Sequence, residues 1–187
     1  METEMISGNF LQCNDLMEFY ETIRKLHEKA HGKDYCAVHD EINSRVTDKK
    51  YIELGVNQGG TLAGALLQKP HTVYGVDRNI DYIEPYRQLM ISFADENKID
   101  FRIKRGTSTN KKIIEECDIL YIDTTHKWPT LKSELNAWNS IVNETIIIHD
   151  THNCRLQSRI NKWVEDNPIW KVTHNTQNVG YSILERA

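Results

Sequence analysis

Polar side chains able to do chemistry recur in this sequence just after short apolar runs. They are Glu53, Gly55 and Gly59 after the first run, Asp77 after "TVYGV", and Gly106, Thr107 and Ser108 after "DFRIK". Asp123 and His126 follow "DILYI", and His149 and Asp150 close "TIIIH". The stretch "YIELGVNQGGTLAGALL" adds Gly60 and Gly64 to the first two glycines. Glycine weakens helix and strand alike, so such a cluster predicts a ligand approaching the backbone. Asp77 lies about 20 residues beyond the first glycines, the distance at which a carboxylate can take both hydroxyls of a ribose.

These residues need a frame. The pattern predicts strands at 50–54, 72–76, 100–104, 118–122 and 144–148, and helices at 60–68, 83–96, 110–116, 129–142 and 154–166. This alternation is a βαβ series. "DILYI" and "TIIIH" lack polar alternation, as strands do when helices cover both faces of a parallel sheet. Leu131, Leu135, Trp138 and Val142 form one stripe of the 129–142 helix, with Pro129 in its first turn. "WKVTH" and "GYSILER" are separated by too few residues for a crossover helix and predict a hairpin with an antiparallel strand. Residues 14–31 predict an amphipathic helix with Asn14 as N-cap and Leu16, Tyr20, Ile23, Leu26 and Ala30 on its face. A second helix is expected around 35–45. The fold class is therefore α/β: a Rossmann-like, doubly wound, mostly parallel seven-stranded sheet in an α/β/α sandwich. One domain of 187 residues is expected, with an N-terminal helical cap (1–48) on a core (49–187).

Charge and composition narrow the partners. With 23 Lys and Arg against 27 Asp and Glu the net charge is −4, and no basic block suggests a phosphate-backbone footprint. The start "METEMISGNF" lacks a cationic and apolar leader, and no run approaches the roughly 18 apolar residues of a membrane span. A cytoplasmic protein is expected, with no nucleic-acid or membrane partner. Cys13, Cys36, Cys117 and Cys154 form no C-x-x-C pair and are read as buried or idle thiols of a reducing compartment.

The G-x-x-x-G spacing of Gly55 and Gly59 differs from the G-x-G-x-x-G of pyrophosphate binders, and a charged Glu53 would repel a pyrophosphate. A nucleoside carrying a positive group suits the site better, and S-adenosylmethionine is such a molecule. "YIELGVNQGGT" followed by "VYGVDRN" resembles the first two motifs of class I S-adenosylmethionine-dependent methyltransferases. "YIDTTHKWPTLKSELNAW" and "IIIHDT" resemble a metal-dependent O-methyltransferase group within that class, which includes macrolide sugar O-methyltransferases and relatives of the cephalosporin-biosynthesis protein. The likeness spans about residues 50 to 185.

The resemblance implies that Glu53, Gly55 and Gly59 shape the methionine side of the cofactor site and that Asp77 holds the ribose. It extends the cofactor set to Asn57, Arg78, Thr107, Ser108 and Asp123. It implies Asp123 and Asp150 as ligands of a divalent cation, Mg²⁺ in this reading, and His126 as general base. This chain has His149-Asp150 where the sugar methyltransferases have Glu-Asp, and Gly106-Thr107-Ser108 where many relatives have Gly-Asp-Ser. His149 either replaces an acidic ligand, giving a mixed nitrogen and oxygen site, or packs as a core histidine. Trp128 either lines an acceptor pocket or anchors the helix that begins beside it.

The chemistry is consistent with that set. A hydroxyl is a weak nucleophile at neutral pH, so its methylation needs a Lewis acid, a base, or both. The expected acceptor is a small molecule or sugar, with a homodimer possible. Rival readings are a metal-independent N- or C-methyltransferase, a non-catalytic nucleoside-binding module, and a metal-dependent hydrolase, which leaves Glu53 and Asp77 unexplained.

Overall fold

The computed structural model describes residues 12–110 and 112–187; the "METEMISGNF" start lies outside them. Seven strands form one sheet in the order β3-β2-β1-β4-β5-β7-β6. They are β1 (Lys50–Leu54), β2 (Thr72–Asp77), β3 (Asp100–Arg105), β4 (Cys117–Ile122), β5 (Val142–His149), β6 (Trp170–Asn175) and β7 (Tyr181–Arg186). β1 to β5 pair in parallel, whereas β7 runs antiparallel to both β5 and β6, so β7 alone is reversed. The order reverses between β1 and β4, the switch point at which open α/β sheets bind ligands.

Alternation along the strands divides the core between the two faces. Tyr51, Val73, Ile119, Tyr121 and Ile147 face α1 (Leu16–His31), α2 (Ala37–Asn43), α3 (Gly60–Leu67) and α4 (Arg87–Asn97). Ile52, Leu54, Leu120, Ile122 and Ile148 face α5 (Trp128–Trp138) and α6 (Gln157–Glu165), where Trp138, Trp163 and Trp170 fill the layer. This is the sandwich the sequence predicts. Within the N-terminal segment, Leu16, Phe19, Tyr20, Ile23, Val38 and Ile42 belong to the same buried cluster as the sheet, so its described residues, 12–48, pack as part of the core.

Several local expectations are corrected. The N-cap of α1 is Asp15, whose side chain accepts from the Glu18 N–H, one residue after Asn14. Phe19 is buried on that helix while Ala30 is exposed, since the helix leaves the core before its last turn. The region predicted as a helix at 110–116 holds a turn instead, closed by the Asn110 carbonyl accepting from the Ile113 N–H at 2.8 Å. Asn110 also accepts through its side chain from the Lys112 N–H, an alternative to helical bonding that asparagine often supplies. α5 ends at Trp138, and Val142 opens β5 rather than closing the helix. Trp128 packs with the α5 and α6 side of the core, which favours its anchoring reading.

Candidate active site

The turn after β1 is built by its own neighbours. Gly55 has φ +91°, and a Cβ there would stand 2.0 Å from the Asp123 carbonyl oxygen, so β1 and β4 approach too closely for any side chain. The Asp123 N–H also donates to the Leu54 carbonyl at 2.8 Å. Gly59 abuts Ile83 and Met90, while Gly60 and Gly64 face Ile23 and Tyr20 of α1. The glycine cluster is thus accounted for by internal packing, and the inference from it to a ligand is not needed. Asn57 sits in the left-handed region at φ +49°, which asparagine adopts more readily than most residues.

Glu53 lies beneath this turn. It is completely buried and accepts from the Tyr51 hydroxyl at 2.7 Å and the Thr61 hydroxyl at 2.5 Å. Burial pushes its carboxyl up to about 8, against the opposing pull of those two hydroxyls. At neutral pH it is mostly uncharged, which removes the argument that its charge repels a pyrophosphate. It acts on any ligand only through the turn it holds. Asp77 sits at the surface of the same turn, and one oxygen accepts from the Val56 and Asn57 N–H groups at 2.7 and 3.0 Å. Its other oxygen accepts from the Asn79 N–H at 2.8 Å. Of the roughly four acceptor sites of a carboxylate, three are therefore directed to backbone.

Beyond β2, the loop after β3 is tied to α5. The Gly106 N–H donates to the Asp77 carbonyl at 2.8 Å. The Ser108 hydroxyl donates to Glu134 at 2.5 Å, and its carbonyl accepts from the Trp138 indole at 2.7 Å. Ser108 is thus engaged in bracing the loop, while Thr107 and Arg78 are exposed beside it.

The remaining sequence candidates converge at the mouths of β4 and β5. Asp123 Oδ1 is 2.8 Å from His126 Nε2 and 3.3 Å from His149 Nδ1. Asp150 Oδ2 is 3.2 Å from His126 Nδ1, and Asp150 Oδ1 is 3.5 Å from His149 Nδ1. His149 does not turn away into the core. His126 and Asp150 adopt φ +47° and +55°, left-handed conformations that cost a non-glycine residue on the order of 1 kcal/mol and tend to cluster at functional sites. The Asp150 loop is fastened by the β6–β7 turn, where the Gly180 carbonyl accepts from the Thr151 N–H at 3.2 Å.

Electrostatics follow from that geometry. Burial alone would raise the Asp123 carboxyl, yet the charge of His149 and the hydrogen bond from His126 hold it well below the usual carboxylate range. Burial alone would lower His126 and His149, but Asp123 and then Asp150 raise both. With a carboxylate at each ring nitrogen, His126 satisfies both only as the doubly protonated imidazolium. That form, which the two carboxylates favour, has no lone pair with which to act as a base.

Five residues of the site escaped the sequence reading. Tyr51 and Tyr121 each point a hydroxyl at the carboxylate two positions on, at 2.7 and 3.2 Å. The paired strings "YIE" and "YID", two residues apart on one strand face, carried that signal. Thr61 clamps Glu53. Glu134 lies on the buried stripe of α5, where an acid at helical spacing between Leu131 and Trp138 is the visible anomaly. Tyr35 comes from the turn between α1 and α2, and its ring meets His149 edge-on at 5.6 Å.

No protein-family model matches the chain, and neither does any curated protein. Among solved structures the chain is similar to a Staphylococcus aureus protein assigned as a caffeoyl-CoA O-methyltransferase. That match has 16% identity and a TM-score of 0.68 over 90% of this chain and 92% of the other. It is also similar to the O-methyltransferase TomG of Streptomyces achromogenes, involved in tomaymycin synthesis and solved with S-adenosylmethionine, at 8% identity and a TM-score of 0.60 over 95% and 92%. The ribosomal protein L11 methylase of Lactobacillus delbrueckii subsp. bulgaricus matches at 13% identity and a TM-score of 0.61 over 81% and 77%. The chain therefore has the Rossmann-like fold of class I methyltransferases.

Proposed function

We propose that this protein is an S-adenosylmethionine-dependent methyltransferase that methylates an oxygen of a small molecule or sugar with the help of a divalent cation. The observation that carries the reading is the convergence of Asp123, His126, His149 and Asp150 beside the glycine turn, at the switch point of the sheet. The net charge of −4 supports a small acceptor over a nucleic acid.

The residues fit a cation. Among the described residues Asp150 Oδ1 and His149 Nε2 are buried without a hydrogen-bond partner, and the Asp123 and Asp150 carboxylates flank the His126 ring. Ligand atoms of Asp123, His126 and His149 lie within 4.8 Å of one another, and those of His126, Asp150 and Cys154 form a second such group. Asp123 and His149 would hold the ion, with Asp150 drawn in, and a set that includes an imidazole accepts Mn²⁺-type ions as well as Mg²⁺. When bound, the sulfonium supplies the methyl group and the cation polarises the acceptor oxygen. Asp77 would meet the ribose with the acceptor capacity its backbone bonds leave free. Glu53 and Thr61 fix the turn that receives the cofactor. His126 can take the hydroxyl proton only from its neutral form, so this role requires one of its two carboxylates to be engaged elsewhere.

Titration calorimetry with S-adenosylhomocysteine, with and without Mg²⁺ or Mn²⁺, tests the division of labour. Asp77→Ala should abolish binding, whereas Asp150→Ala should leave it nearly intact and remove the effect of the metal. The opposite pattern would overturn the assignment. Turnover indifferent to chelator would move the reading to a metal-free N- or C-methyltransferase.

A further inference from the structure

A second set of ligand-type side chains meets in the N-terminal helices. His27 on α1, Cys36 at the end of the short turn Lys33–Cys36, and His39 on α2 bring one nitrogen, sulfur and nitrogen atom to within 4.8 Å of one another. Cys36 and His39 are buried. Among the described residues, the Nδ1 atoms of both His27 and His39 are out of contact with solvent and have no hydrogen-bond partner. Buried polar atoms are normally paired, so two orphaned ring nitrogens beside one thiol call for an explanation. Cys36 Sγ makes only a long contact, to the Arg24 carbonyl at 3.7 Å.

We propose that His27, Cys36 and His39 bind one Zn²⁺-type ion. Two imidazoles and a thiolate are a soft to borderline donor set that selects such an ion over Mg²⁺. Cys36 and His39 stand three residues apart, close to one helical turn, so their side chains share a face, and His27 reaches the same point from the antecedent helix. Zinc bonds of about 2.0–2.3 Å place ligand atoms roughly 3.3–3.7 Å apart, so the three atoms need to come that close on binding. On metallation the Cys36 thiol releases its proton to solvent, and its contact with Arg24 is given up. The fourth position falls to water or an exogenous ligand.

The ion would tie α1, the turn and α2 into one unit at a functionally sensitive place. The Tyr35 ring, one residue before Cys36, lies 5.6 Å from His27 and 5.6 Å from His149. The site would thereby fix Tyr35 against the candidate active site. It shares no residue with the Asp123 and Asp150 cluster, whose own neighbouring thiol is Cys154, beside His126 and Asp150.

Co²⁺ titration of the full chain reads the thiolate directly, through a sulfur-to-cobalt charge-transfer band in the near ultraviolet. One equivalent should produce the band in the wild type and in Cys13→Ser, Cys154→Ser and Asp150→Ala. Cys36→Ser should lose it. His39→Gln should weaken cobalt binding at this site by more than the about 10–100-fold that loss of an outer-shell partner costs. Absence of the band in the wild type, or its persistence in Cys36→Ser, would overturn the proposal. Zinc X-ray absorption on the unmodified protein gives a test independent of whether the variants fold. One sulfur per zinc supports the site, and an all nitrogen and oxygen shell refutes it.

Discussion

Glu53 illustrates how a residue's environment rewrites its chemistry. In sequence it is a carboxylate at a strand end; in the fold it is fully buried between two hydroxyls with its carboxyl pushed up to about 8. A carboxyl raised on folding keeps its proton in the native state while the unfolded chain has lost it. Its contribution to stability is therefore largest below the ordinary value of 4.5 and declines as pH rises from there towards about 8. Glu53→Gln mimics the protonated form, because its amide can pair with both hydroxyls. Melting curves of this variant should lose part of the wild type's decline between pH 5 and 8, and its advantage over the wild type should be greatest at pH 8 and above. A melting profile with the same pH dependence as the wild type would show that Glu53 is ionised in the fold.

At the scale of elements, α3 is short and rich in glycine yet almost wholly buried, and its contact with α1 explains why. A Cβ on Gly64 would lie 2.7 Å from the Tyr20 ring and 3.1 Å from the Asn43 side-chain oxygen. Tyr20 cannot readily swing aside, because its hydroxyl accepts from Asn43 at 2.9 Å and from Arg24 at 3.2 Å. Gly64→Ala would gain about 1 kcal/mol of helix propensity. It would lose about 1–3 kcal/mol to overpacking, and the rigid contact makes the upper part of that range apply. The net loss should be about 1–2 kcal/mol, seen as a drop in Tm of roughly 2–8 °C for a chain of this size. Gly60 and Gly64 of this helix serve a helix interface, whereas the sequence places them in a cluster whose usual cause is a ligand near the backbone.

Across the whole molecule, residues 12–48 form a structural layer. Leu16, Phe19, Tyr20, Ile23, Val38 and Ile42 cover the same sheet face as Leu62 and Leu66. A chain starting at Val46 would leave that face open, an apolar patch of the kind that drives association. Such a truncation should give no cooperative thermal transition and should elute as aggregate in size-exclusion chromatography. A folded, monomeric product would show that the helices are a dispensable cap. Among the described residues no helix is long and apolar enough to cross a membrane.

The sequence determined the sheet's strands and the end of the sheet at which chemistry gathers, because apolar runs and the breaks after them are local signals with fixed periods. It also marked Asp123, His126, His149 and Asp150, since polar residues stand out directly after uncharged strands. Only the tertiary structure decided what those residues face. The clustering of His149 with Asp123 depends on β4 and β5 lying side by side, and His126 is enclosed by carboxylates from two different loops. Likewise, His27, Cys36 and His39 meet only because α1, the turn and α2 fold back on one another. Burial and cross-chain distance set charge state and partnership, and neither has a period that a linear sequence can display.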